Sequence, residues 1–459
     1  MTELLPLVTE PAEPAEPATE VDRIPLALQQ DFLRMMDSGS ESGPFGPRYT
    51  IVAGWRVLGE IDVDTVRRAA EDVVARHETL RTRIVLDDGD PYQHVLPPSP
   101  PEVLIRDLTE QGRGDRDLAV EEFLNEIESG VSVSNGTPRV KVALGRFDPW
   151  DSVLVFMAHH TVVDGASVHV LMRDFAASYA ARRERRAPDF PQVRQYREYV
   201  AWQQANATGA EVTAAREFWR DYLRGARMLP VPTDRPRSEG GYVTGWHRFM
   251  LEDELRLATL ATAKRTRSSP FMVLTAAFLT LMRERTGETD LVVPTLMSGR
   301  YPGWTQPMVG VFYNFMPLRT DITGCTSFDE VVAKVRATCL AAYPHELPFM
   351  QLAQEAPELM ASVATPNTAA IAFQVIQHPA PQGGEQVGDL RYIAIRRRVV
   401  STPVGSQIPD GILAELDLHP EGGMFGKVAY VKSLFDEGTI TGMMAELERV
   451  LRDTVGRAA

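Results

Sequence analysis

Cysteine is almost missing: Cys325 and Cys339 are the only two in 459 residues. So few thiols exclude a disulfide-stapled secreted scaffold and read as packing residues. Neither sits in a recognisable nucleophile motif. No apolar run approaches the roughly 20 residues that a membrane-spanning helix needs. The apolar core of a secretory leader is missing as well, so the chain is expected to be cytoplasmic and off the membrane. Positive charge is scarce: 48 Lys and Arg face 62 Asp and Glu, a formal net charge of -14. That balance argues against nucleic acid and anionic lipid as main partners.

What remains is ordinary globular material, 44% hydrophobic. The length could hold two or three domains, and two lobes of about 200 residues would each be large enough for a core. Residues 10–20 read Glu-Pro-Ala-Glu-Pro-Ala-Glu-Pro-Ala-Thr-Glu. This tract predicts a disordered acidic Pro/Ala tail over residues 1–20. A first lobe is expected over 21–187 and a second over 188–459, divided where Arg182-Arg183-Glu184-Arg185-Arg186-Ala187-Pro188 breaks a helical pattern. Asp62 is positioned to cap a helix whose apolar face is Val63, Val66, Ala70, Val73 and Val74. Helical material is expected around Tyr196 to Leu223. Pro270 opens a long helix that Gly287 ends, Leu291–Thr295 reads as a strand, and a last helix starts near Thr439. Strands alternating with helices in both halves imply α/β lobes.

The chemistry concentrates in one stretch. Ser152–Met157 reads Ser-Val-Leu-Val-Phe-Met, a buried strand. After Gly165, the residues Val168, Leu171, Met172, Phe175, Ala176 and Tyr179 recur at helical spacing. Between strand and helix stands His159-His160-Thr161-Val162-Val163-Asp164-Gly165. Strand alternation sends neighbouring side chains to opposite faces, so one histidine is expected in the core and the other in a cavity. A histidine titrates near neutrality and can take a proton from a hydroxyl or amine. Asp164 could orient the turn through a buried ion pair, and Gly165 is expected to supply its backbone freedom. Three readings compete: a structural histidine pair, a metal site, and a general base for acyl transfer. Diverging side chains, with no third His, Cys or carboxylate clustered beside them, argue against metal. The complete strand-turn-helix pattern favours the base.

Other segments accompany it in order: Pro25-Leu26-Ala27-Leu28-Gln29-Gln30, Arg76-His77-Glu78-Thr79-Leu80-Arg81-Thr82, and Tyr196-Arg197-Glu198-Tyr199-Val200-Ala201-Trp202 with Phe218-Trp219. Val309-Gly310-Val311-Phe312-Tyr313-Asn314-Phe315-Met316-Pro317-Leu318-Arg319 and His345-Glu346-Leu347-Pro348-Phe349 follow. Together with the single His-His-x-x-x-Asp-Gly, this series resembles the condensation-domain superfamily. That group includes nonribosomal peptide condensation domains, chloramphenicol acetyltransferase and polyketide-associated acyltransferases. The resemblance runs from about Pro25 to the last helix.

The resemblance implies an α/β fold of two chloramphenicol-acetyltransferase-like lobes, a V-shaped pseudo-dimer with a central tunnel. It makes His160 the catalytic histidine, with His159 as inward support and Asp164 paired to Arg300. Ser298, Tyr313 and Asn314 would line the tunnel, with Ser298 and Asn314 read equally as loop hydrogen-bonders, and the Gly165 amide, at a helix N-terminus, could help hold oxyanion charge. Tyr313 replaces the small aliphatic residue usual at its position, which leaves the acceptor preference open. The implied reaction is attack by a hydroxyl or amine on a carrier-protein-tethered acyl or aminoacyl thioester. The phosphopantetheine arm of the carrier enters as substrate; no bound cofactor and no metal are implied. Without adenylation or carrier motifs, the chain is expected to be free-standing, and the two-lobed architecture, which removes the need for a trimer, implies a monomer. Arg396-Arg397-Arg398 and the Arg182–Arg186 run could bind an acidic carrier protein or simply be solvated. Alternatives are an acyl-CoA- or lipid-dependent acyltransferase of the same superfamily, an epimerisation domain, and a catalytically silent recruitment module. The missing Asp-Phe-Gly-Trp-Gly segment counts against plant-type acyl-CoA transferases, and the intact histidines against heterocyclisation.

Overall fold

A computed structural model describes residues 23–86, 89–130, 136–237, 242–300, 303–377, 383–419 and 422–456. The tail expected over residues 1–20 lies outside them.

The strand Asp151–His159 is buried at all nine positions, as its unbroken apolar run requires. It lies inside a six-stranded sheet in the order Glu385–Val387, Leu390–Ile395, Thr50–Leu58, Asp151–His159, Val140–Asp148, Glu102–Asp107. Only the last pair is parallel. Helices Val63–Arg76 and Gly165–Arg183 share its core, in which Val66, Val73, Leu171 and Phe175 meet Trp55 and Phe156. Asp62 caps the first of these, its carboxylate accepting from the Thr65 amide at 2.7 Å.

The second half builds a sheet in the order Thr402–Gly405, Thr244–Leu251, Met424–Val431, Ile412–Leu418, Thr368–Gln377, Pro230–Pro232. Helices Pro270–Thr286, Phe328–Ala342 and Glu437–Thr454 pack with it around Leu274, Phe278, Val332, Phe373 and Leu447. Ser269 caps the first helix, with Pro270 in its first turn, and Gly287 ends it at φ 77°. The helical stretch after Tyr196 is two helices, Tyr196–Ala205 and Ala210–Tyr222. A two-stranded ribbon, Asp290–Met297 with Asn314–Asp321, forms its own ladder and packs against Thr368–Gln377.

The expected division after residue 187 needs one amendment. Residues 385–395 come from the second half but extend the first sheet, with Arg391–Ile395 antiparallel to Gly54–Leu58. Leu390 and Tyr392 supply the reason: both are buried in the first lobe's core. The exchange covers what would otherwise be an open edge on Thr50–Leu58. A further apolar cluster joins the halves through Leu33, Tyr49, Tyr196, Tyr199, Met308 and Phe312. Among the described residues, no helix is long and apolar enough to cross a membrane.

Candidate active site

The two histidines diverge at the strand end. His159 is fully buried, its Nε2 lying 3.1 Å from the Gly46 carbonyl. A carbonyl only accepts, so Nε2 carries the proton and Nδ1 accepts from Thr161 Oγ1 at 2.7 Å. The Thr161 oxygen in turn accepts from the buried Arg139 guanidinium at 3.1 Å. Burial, with Arg139 beside it, pushes the His159 pKa down to about 3.

His160 lines a cavity of about 430 Å³. Its Nδ1 lies 2.8 Å from the Val163 carbonyl. The same logic puts the proton on Nδ1, so Nε2 is the basic nitrogen left for the cavity. Burial lowers the His160 pKa below the ordinary imidazole value, against the Val163 bond and the charge of Asp164. The ring is neutral at pH 7 and can accept a proton.

Asp164 lies behind the turn. One carboxylate oxygen caps helix Gly165–Arg183 by accepting from the Ser167 amide at 2.7 Å, and the other accepts from the Phe312 amide at 3.1 Å. Arg300 Nη2 reaches it at 2.8 Å, with both side chains buried. Arg300 also donates to Ser167 Oγ and to the carbonyls of Thr305 and Met308. The neighbouring Gly299 sits at φ 61°, where a Cβ would lie 1.7 Å from the Phe312 carbonyl oxygen; only glycine fits.

Gly165 departs from expectation. It is not among the left-handed glycines, and an added Cβ would come no closer than 3.9 Å to Ile51. It lines the cavity, so its missing side chain leaves room there and is not required by the turn. Tyr313 also lines the cavity, but Ser298 and Asn314 are not among its lining residues. The Asn314 amide is spent on the loop at 347–349, donating to the Leu347 carbonyl and accepting from the Phe349 amide. Asn314 borders a smaller pocket with Gln29, Trp202 and Glu346. The Ser298 hydroxyl accepts from the Arg300 amide at 3.4 Å.

Several cavity residues escaped the sequence reading. Tyr49 stacks on His160 with centroids 5.3 Å apart. On the second sheet, Gln374, Glu415, Lys427 and Arg248 stand in one cross-strand row. Lys427 pairs with Glu415 at 3.2 Å and lies over the Trp246 ring at 4.5 Å. Arg248 and Arg398 converge on Glu128 at 2.8 and 2.7 Å, linking helix Arg116–Ser129 to the second half. Arg398 is therefore not a solvated surface charge; Arg396 lines the cavity, and Arg397 is the exposed member of its run. In the other run, Arg182 pairs with Asp72, Arg183 with Asp389 and Arg186 with Glu184. Burial raises Asp417, on the cavity wall, to about 6.

The sequence model of the family described as Condensation domain matches residues 40–458. The crystal structure of SgcC5 protein from Streptomyces globisporus is 43% identical, with a TM-score of 0.91, covering 94% of this chain and 99% of that one. Probable non-canonical nonribosomal peptide synthetase CymA from Salinispora arenicola is 30% identical over 457 residues, and a linear gramicidin synthase from Brevibacillus parabrevis 28% over 442; each match covers 94% of this chain. The chain spans only 5% and 8% of the length of those two synthetases, respectively. The mixed α/β fold expected from the motifs is the fold of the SgcC5 structure, and the chain belongs to the condensation-domain family.

Proposed function

We propose that this protein is an acyltransferase that joins a carrier-tethered acyl or aminoacyl thioester to an alcohol, forming an ester. The observation that carries this reading is His160: a neutral imidazole whose Nδ1 proton is committed to Val163, leaving a basic Nε2 at the wall of a substrate-sized cavity. A neutral hydroxyl is a weak nucleophile and needs such a base. The SgcC5 crystal is a complex with (R)-(-)-1-(2-naphthyl)-1,2-ethanediol and sucrose. That aryl diol supports a hydroxyl acceptor for a chain so similar.

In this mechanism the alcohol loses its proton to His160 Nε2 while its oxygen attacks the thioester carbon. The tetrahedral intermediate collapses and expels the pantetheine thiolate, which takes the proton back. The products are an ester and a free carrier thiol. Asp164 and Arg300 touch no substrate; they hold the turn that aims His160. The Gly165 amide, at the first turn of a 19-residue helix beside the cavity, is placed to meet developing negative charge. Orienting both substrates supplies much of the acceleration.

The test is a reconstituted transfer assay with acyl- or aminoacyl-carrier donors against alcohol and amine panels, read by mass spectrometry. Ester formation by wild type and none by folded His160→Ala is expected. Equal product from both removes His160 as base, and amide in place of ester reassigns the acceptor.

A further inference from the structure

We propose that the phenol pair Tyr49–Tyr313 donates the hydrogen bond that holds the thioester carbonyl oxygen as it becomes an oxyanion. This rests on the acyl-transfer reading of the same site and adds a charge-stabilising group beside the base.

Both tyrosines line the cavity that holds His160 and Gly165. Their rings flank the imidazole: Tyr49 stacks at 5.3 Å with planes 25° apart, and Tyr313 lies at 5.4 Å, tilted by 55°. Their hydroxyl oxygens are 3.4 Å apart, well beyond the roughly 2.7–2.8 Å usual for a hydroxyl pair. Each phenol has one proton to donate, and the contact between them can use only one. Neither hydroxyl has another partner among the described residues. One O–H therefore remains for a ligand, beside the base.

Tyr49 is also fixed relative to that base. The Tyr49 carbonyl accepts from the His160 amide at 2.8 Å, and the adjacent Thr50 pairs in register with His159. Base and donor are thus held by one strand pairing, which is the preorganisation that oxyanion stabilisation requires. Burial raises both phenols, Tyr313 to about 12, so they stay protonated and neutral at working pH. During attack, the alcohol proton goes to His160 Nε2, the alcohol oxygen bonds to carbon, and the carbonyl π pair moves onto the oxygen held by the phenol. On collapse that pair re-forms the carbonyl and the thiolate leaves. The phenols keep their protons throughout.

The variant is Tyr49→Phe/Tyr313→Phe, which keeps both rings against His160 and deletes only the hydroxyls; its melting temperature is checked first. The expected result is a fall in kcat of about 100-fold or more, with KM changed by less than about threefold and the acid limb of the pH profile unmoved. Each single variant loses less, because one phenol remains. A second readout is independent of turnover. The methylene-for-sulfur analogue of acetylpantetheine, labelled with ¹³C at its ketone, is added to saturation. Its carbonyl resonance is expected to move downfield in wild type and to return toward the free value in the double variant. A double variant with kcat within about threefold of wild type overturns the proposal. So does an identical carbonyl shift in both proteins, or none in wild type. His160→Ala, run in parallel, separates the readings: if it transfers normally the base assignment fails, while the carbonyl shift still decides the phenols.

Discussion

Removing the Asp164 carboxylate should damage the fold more than removing its arginine partner. Asp164→Ala takes the acceptor away from Arg300 Nη2, the Ser167 amide and the Phe312 amide at once. It leaves a buried guanidinium, only 2% exposed, without its counter-charge. Breaking a buried pair from that side costs about 3–5 kcal/mol, and the lost helix cap contributes within that figure. Arg300→Met instead leaves the carboxylate with three donors, the Ser167 amide, the Ser167 hydroxyl and the Phe312 amide. Its cost should be about 2 kcal/mol, mainly for carbonyls at Thr305 and Met308 that lose a donor. In a lobe of about 200 residues, where each kcal/mol shifts the midpoint by about 2–4 °C, Asp164→Ala should lower Tm by about 6–20 °C and Arg300→Met by about 4–8 °C. The double variant should lose much less than the sum of the two, because no lone charge stays buried. Differential scanning fluorimetry on the four proteins reads all of this. An Asp164→Ala midpoint within about 2 °C of wild type, or an Arg300→Met loss larger than that of Asp164→Ala, overturns this ordering.

Other expectations follow from single residues. Gly165→Ala should keep its melting temperature, since the backbone is not left-handed and no atom comes within 3.9 Å of the new Cβ, yet lose kcat/KM because that methyl enters the cavity; a collapse of Tm would show that the turn needs glycine after all. Gly299→Ala should fail to fold or lose most of its thermal stability, its Cβ meeting the Phe312 carbonyl oxygen. As the proposed base, His160 must be neutral to act, and its pKa is lowered, so the acid limb of single-turnover transfer should fall below the free imidazole value of about 6.5; a midpoint above that value contradicts the burial argument. His159, held at about 3, binds its proton in the unfolded state first. Its contribution to stability is therefore complete above about 6.5 and is lost as pH falls toward about 3. His159→Asn should flatten the fall in stability over that window by about one proton, measured by urea midpoints; an unchanged slope would place the acid sensitivity elsewhere.

Much of the frame was legible in the chain. Asp62, Asp164, Pro270 and Gly287 mark helix boundaries through local hydrogen bonding and φ, and local rules reach the sequence directly. The unbroken run before His159 announced a buried strand for the same reason. The pairing of Asp164 with Arg300, 136 residues apart, came only from the resemblance. Tyr49 was invisible because its place beside His160 depends on strand register, with Thr50 opposite His159, and register between distant strands leaves no local mark. Arg396 and Arg398 read as a surface run, yet a chain crossing between the halves directs one to the cavity and the other to Glu128. Asn314 follows its reading as a loop hydrogen-bonder, its amide taken by the loop at 347–349.

The strand exchange at residues 385–395 has a consequence for the order of events during synthesis. The first sheet takes its outer strands from a segment that ends at Ile395 of 459 residues. A nascent chain that has released its first 230 residues therefore holds every histidine-bearing element of the first lobe but exposes Thr50–Leu58 as an unpaired edge. Vectorial folding, in which an N-terminal unit finishes before the next emerges, is closed to this topology. Until the late strand arrives, the open edge is a template for pairing with another chain. Truncation between residues 188 and 384 should accordingly yield aggregates, not a soluble first lobe, and complementary fragments should reassemble only if the piece carrying 385–395 is supplied while that edge is still free.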